Sequence, residues 1–147
     1  MKRRWLFIAA LELLGADAAK ENQKTKEEIA NLQGTWSFVT MEVDGIQLPP
    51  KAFEGSKIVI KGTGFTTISA GAAYKGTFKV DITKKPKTLD LNFNDGPEKG
   101  NTSRAIYDLD GDDWKICLTI GAKERPKEFA TKAGSGRALE TLKRTKP

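Results

Sequence analysis

From Gly34 onward, apolar and polar residues alternate with a period of two, in short runs separated by turn residues. Tyr74, Gly76, Phe78 and Val80 share one parity, and Lys75, Thr77, Lys79 and Asp81 the other. Leu89, Leu91 and Phe93 stand against Asp90, Asn92 and Asn94 in the same way. Such alternation belongs to strands with one face in a core and the other in water. The runs predict strands over 35–43, 56–61, 65–70, 74–81, 88–94, 102–109, 114–120 and 137–144. Asp44-Gly45, Gly62 with Gly64, Gly71, Lys84-Lys85-Pro86, Asp95-Gly96-Pro97 and Asp110-Gly111-Asp112 supply the turns between them. Pro49-Pro50 interrupts pairing and can start a helical turn over 51–54, and 121–136 is a long loop. The first and last strands carry apolar residues on both faces, so parity alone does not orient them. With about eight strands joined mostly by hairpins and no helix fit to cover a sheet, the pattern predicts an all-β fold, a single eight-stranded antiparallel barrel. Such a barrel closes its own edges and leaves room inside for side chains or for one small ligand.

The chain ahead of the strands has a different character. Lys2-Arg3-Arg4, an apolar run from Trp5 to Leu14 broken by Glu12, and the small residues of Ala16-Asp17-Ala18 read as a signal peptide over 1–18. That predicts a periplasmic or secreted, extracytoplasmic domain. The competing reading is an uncleaved amphipathic anchor, since Glu12 lowers the hydrophobicity of the run. The run is shorter than the roughly 20 residues that span a bilayer, so no stable membrane span is expected after cleavage. Residues 19–31 form a polar linker with a short helix, supported by the Lys24 and Glu28 pair at i,i+4 and ending in a helical turn that can lid the barrel. The barrel domain is then 32–145.

Composition narrows the chemistry. A chain of 147 residues suits one domain with its own core. Lys and Arg number 25 against 19 Asp and Glu, and the net charge of +6 is spread along the chain. It reads as a solvated surface, with no nucleic-acid footprint. The single Cys forbids an intrachain disulfide, and the absence of His removes the commonest general base and metal ligand. No enzyme, metal or cofactor is therefore expected. Asp108, Asp110, Asp112 and Asp113 straddle a tight hairpin without a downstream Glu at calcium-loop spacing, and read as a polar turn. Gly134-Ser135-Gly136 lacks the strand–turn–helix setting of a nucleophile elbow. Cys117 reads either as a small buried hydrophobe or as a reactive thiol with Lys115 and Arg125 as basic neighbours.

The ordered segments Leu32-Gln33-Gly34-Thr35-Trp36, Gly76-Thr77-Phe78-Lys79-Val80-Asp81 with Lys85-Pro86-Lys87, Gly96-Pro97-Glu98-Lys99-Gly100, Ile106-Tyr107-Asp108-Leu109-Asp110-Gly111-Asp112, Lys115-Ile116-Cys117-Leu118, Arg125-Pro126-Lys127-Glu128-Phe129 and Leu142-Lys143-Arg144 resemble the uncharacterised planctomycetal lipocalin-like domain family. The resemblance covers about 32–144. It implies a lipocalin-like (calycin-type) barrel, often exported, and no established activity. Trp114 departs from it, standing where a smaller aliphatic residue is expected. In lipocalin-like barrels Gly-x-Trp opens the first strand and a basic residue of the last strand packs over the Trp. That assigns structural roles to Gly34, Trp36 and Arg144, or Lys143 in its place.

Two functions remain open on this reading. In one, the barrel binds a small apolar or amphipathic ligand, with Tyr74, Phe78, Phe93, Tyr107 and Trp114 facing it, together with Phe38 and Leu91. In the other, the same side chains fill the barrel, and the domain is a structural or protein-interaction module without a ligand. The loop Arg125–Phe129 also has two readings. Arg125 and Phe129 either cap the mouth and hold an anionic head-group, or plug it, with Phe129 inserted and Arg125 paired to a carboxylate. Oligomeric state is not encoded in any of these features.

Overall fold

The computed structural model describes the backbone of residues 2–120 and 124–146, and the side chains of 15–120 and 124–146. Helix α1 (Lys2–Leu32) leads into β1 (Gly34–Val43), a two-residue β2 (Ile46–Gln47) and a 3-10 turn over Pro50–Ala52. The strands β3 (Lys57–Lys61), β4 (Gly64–Ser69), β5 (Ala72–Asp81), β6 (Lys87–Asp95), β7 (Thr102–Asp110), β8 (Asp113–Thr119) and β9 (Arg137–Arg144) follow. All eight predicted strands are present, with limits within two residues of those expected. The ninth, β2, only folds back on the end of β1 across Asp44-Gly45, pairing Ile46 with Val43.

β1 and β3 to β9 pair antiparallel with their sequence neighbours, and β9 pairs back onto β1. The result is a closed eight-stranded antiparallel barrel of the lipocalin-like type. β1 closes it by serving two partners. Gly34–Ser37 pair with β3, and Trp36–Val43 pair with β9, with a register shift between Phe38 and Thr40. Such a bulge bends the strand and turns one side chain out of the ladder. Here that side chain is Val39, which is exposed on the outer surface.

The N-terminal helix is longer than the short segment expected. It runs without interruption through 19–31 and back to Lys2. The sequence explains this, because residues 2–32 contain no Pro, a single Gly and many Ala, Leu, Glu and Lys, all good helix formers. Over the described side chains, from Gly15 onward, its hold on the barrel is confined to its last two turns. Residues 15–24 are exposed, whereas Glu28 and Ile29 are half-buried and Leu32 is fully buried. Among the described residues no helix is long and apolar enough to cross a membrane.

The core lies inside the barrel, densest at the end that α1 covers. Trp36, Tyr107, Leu89, Ile116 and Leu142 are almost wholly buried there, with Leu32 of the helix above them. The segment from Leu32 to Trp36 ties helix to barrel residue by residue. The Gln33 amide donates to the Gly62 carbonyl at 2.9 Å and accepts from the Gly62 N–H at 2.7 Å, fixing the helix end to the β3–β4 turn. Gly34 has φ +121°, and a Cβ on it would stand 3.3 Å from Arg144 Nη1. Trp36 Nε1 donates to the Leu32 carbonyl at 2.9 Å. Arg144 lies over the Trp36 ring at 4.3 Å and donates to the Gln33 and Asn31 carbonyls and, at 2.9 Å, to Asp112 Oδ1. The guanidinium thus satisfies carbonyls that the end of a helix leaves without partners. Arg144, not Lys143, covers the tryptophan.

Candidate functional site

Because successive side chains on a strand point to opposite faces, one parity of every barrel strand looks inward. At the covered end these residues interdigitate. Toward the other end they do not meet, and they surround an open cavity of about 570 Å³. Its wall is mostly aliphatic and aromatic. Phe38, Met41 and Val43 come from β1, Phe65 from β4, Tyr74 and Phe78 from β5, Leu89, Leu91 and Phe93 from β6, and Trp114, Ile116 and Leu118 from β8. The aromatic rings brace each other edge to face, Phe93 against Phe65 at 5.3 Å and against Tyr74 at 6.4 Å. Trp114 stands edge-on to Trp36 at 5.2 Å and forms the cavity's floor over the sealed end. The large residue at this position therefore sets how deep the cavity reaches. Polar groups collect at the mouth, where Ser69, Glu98, Asn101, Thr102 and Arg104 join the lining.

Four of the seven predicted ligand-facing residues, Tyr74, Phe78, Phe93 and Trp114, line this cavity, as do Phe38 and Leu91. The other three lie elsewhere. Tyr107 points inward but below the floor, where its hydroxyl donates to Glu28 Oε2 at 2.8 Å. Lys87 Nζ reaches the same oxygen at 2.7 Å, so the pair fastens α1 to the barrel. Burial, and then the Glu28 carboxylate, hold the Tyr107 phenol well above its ordinary value, so it stays a neutral donor.

Arg125 and Phe129 neither cap nor plug the mouth. The loop that carries them crosses the outer wall over β6 to β8. Arg125 donates to the Ala105 carbonyl at 2.7 Å and to Asp90 Oδ1 at 2.6 Å. Phe129 lies under Lys115 Nζ, 5.2 Å from its ring centre. The loop is drawn there by apolar residues on the outward parity. Ile106 and Cys117 pair across β7 and β8 on that face and are buried, as is Pro126 of the loop. Cys117 is sealed in this layer, with Sγ 3.7 Å from the Ala130 carbonyl. Burial pushes its thiol up, the opposite of what a reactive thiolate needs. The acidic hairpin turn is a charged clasp, with Asp112 on Arg144.

No family model, curated protein or solved structure matches this chain. The geometry of the cavity therefore carries the functional argument by itself.

One residue of the cavity was not anticipated from the sequence. Glu140, in the middle of β9, is only 7% exposed and lines the cavity. Its cross-strand neighbours are Met41 on β1 and Ile116 on β8. Burial among these groups pushes its carboxyl up to about 8. A second polar atom is stranded close by. Trp114 Nε1 is buried without a hydrogen-bond partner among the described residues. Trp114 pairs with Leu142, and Ile116 with Glu140, so the indole and the carboxyl are diagonal neighbours on one face.

Proposed function

We propose that the domain binds a small apolar or amphipathic ligand inside the barrel. The observation that carries this reading is the open cavity of about 570 Å³ with its aromatic and aliphatic wall. It falls within the range of roughly 300–1,000 Å³ typical of small-molecule sites, which are mostly apolar with a few placed polar groups. A barrel that serves only as a scaffold would fill this space with side chains, as the covered end does. The polar mouth suits entry from water, and the helix-covered floor makes the site a one-ended cup. The few polar groups of the lining are set in a mostly apolar wall, which suits binding.

We place this domain outside the cytoplasm, on the strength of the charged, apolar and small-residue pattern over 1–18. The packing is compatible with cleavage there. Residues 15–24 are exposed, and the contacts that hold the helix to the barrel begin beyond them. The ordered motifs that resemble the planctomycetal lipocalin-like domains agree with both the barrel and its export.

Titration with a neutral apolar fluorophore, N-phenyl-1-naphthylamine, tests the binding reading. Saturable one-to-one enhancement is expected, with loss of it in Leu118→Trp, whose added ring occupies the cavity. Equal enhancement in that folded variant, or no saturation, would refute the reading. Mass spectrometry of the natively purified protein then gives the mass of any ligand carried from its host.

A further inference from the structure

Glu140 is the only acidic or basic side chain among the described residues that is buried. Its strand neighbours are apolar. Ala138 and Leu142 flank it along β9, and Met41 and Ile116 across the adjoining strands. No described residue forms a hydrogen bond or ion pair with its carboxyl, and burial alone accounts for its raised value. A buried polar group without a partner costs stability, and such a group aimed into a cavity marks the place where a ligand completes the bonding. The other titratable groups lining the cavity are Tyr74, Glu98 and Arg104, of which Glu98 and Arg104 belong to the mouth.

We propose that Glu140 is the recognition group of the cavity and that the ligand is a small apolar amine, its ammonium against the Glu140 carboxylate and its hydrocarbon part among the aromatic rings. The inference rests on the ligand-binding reading above and names the ligand class. Three considerations select an amine over a neutral or anionic partner. An ammonium gives the lone carboxylate a full ion pair with directed hydrogen bonds, which are stronger than those of a hydroxyl. The rings of Phe38, Phe78, Phe93 and Trp114 offer faces and edges to an organic cation in a setting where water is displaced. An anion would meet a carboxyl in the depth of the cavity, with Arg104 the sole cationic lining residue among the described residues and itself exposed. The proton balance follows. At neutral pH the empty cavity holds Glu140 protonated, and the free amine is an ammonium. Binding forms the ion pair, and one proton passes from the Glu140 carboxyl to the buffer.

The experiment compares octylamine, octanol and octanoate by isothermal titration at pH 7 on the full chain and on Glu140→Gln, with thermal unfolding confirming that the variant is folded. The chain should bind octylamine about tenfold or more tighter than octanol. It should bind octanoate most weakly, and release close to one proton per octylamine, read from buffers of different ionisation enthalpy. Glu140→Gln should keep octanol binding and lose both the amine preference and the proton release. Octanol or octanoate bound as tightly as octylamine, or an amine preference that survives in Glu140→Gln, overturns the amine assignment and leaves the cavity reading standing. Failure of all three to bind overturns both.

Discussion

Replacing Glu140 by Gln removes one ionisation from the barrel interior while keeping the side chain's shape. In the folded protein the carboxyl gives up its proton near pH 8, against an ordinary value of 4.5. Between those limits the native state binds more protons than the unfolded chain, so stability falls as pH rises. The contribution of Glu140 is most favourable below about pH 4.5, declines through the interval, and is level again above about pH 8. At 1.36 kcal/mol for each pH unit the full interval amounts to about 5 kcal/mol. The assay is urea unfolding of the wild-type chain and Glu140→Gln at a series of pH values from 4.5 to 9. Other titrating groups cancel in the difference between the two proteins. That difference should favour Gln increasingly as pH rises, by about 4 kcal/mol over the series, with its steepest change between pH 5.5 and 8. Parallel curves would refute the reasoning. They would mean that Glu140 is as well solvated or as well partnered folded as unfolded, and the site argument would fall with it.

Arg144→Ala should destabilise the chain by about 3 kcal/mol, since it uncaps the helix end and uncovers Trp36. Arg144→Lys should recover no more than about half of that, because an ammonium lacks the planar fork; urea midpoints check both. Gly76→Ala should cost about 3 kcal/mol or prevent folding, because its Cβ would overlap the Asn92 carbonyl oxygen across the β5–β6 pair and crowd Phe65 Cε1 at 2.9 Å. Circular dichroism and thermal unfolding would show it. Tyr107→Phe should cost about 1 kcal/mol and raise amide exchange in the last turns of α1, since Glu28 keeps only its Lys87 partner.

The strands could be read because period-two alternation records burial directly, and it is unbroken in β5 and β6. The same rule, followed further, contains the information that was missed. Ala138 and Leu142 are inward on β9, so Glu140, of the same parity, is inward too. Its charge instead suggests a surface position, and β9 carries Leu139 on the opposite face, which blurs the parity. Register with β1 and β8 settles the matter, and register belongs to the closed barrel rather than to the strand. The path of the loop after β8 was hidden for a related reason. Ile106 and Cys117 are apolar on the outward parity, and they bury themselves by drawing Pro126 across the wall. Arg125 and Phe129 follow the loop outside. The helix was underestimated because its apolar face is thin. Residues 15–24 are exposed, so backbone propensity and the absence of Pro speak for them rather than burial.

The doubled pairing of β1 also bears on how the domain assembles. Each of β3 to β8 meets the barrel strands that precede and follow it, so a meander from β3 to β9 can form from local hairpins. The seam joins residues as distant as Thr40 and Thr141, whose hydroxyls meet at 2.5 Å across 101 positions of sequence. Contacts of such separation carry the largest loop-closure cost and form late. Until they do, β9 and the free flank of β1 are both bare edges that another chain can occupy. The Arg144 clasp over Trp36 sits on this seam, at the end where the last strand meets the first. A chain shortened ahead of Leu142 would lose the clasp and leave the Trp36–Phe38 part of β1 without its β9 partner, an edge open to pairing with another chain.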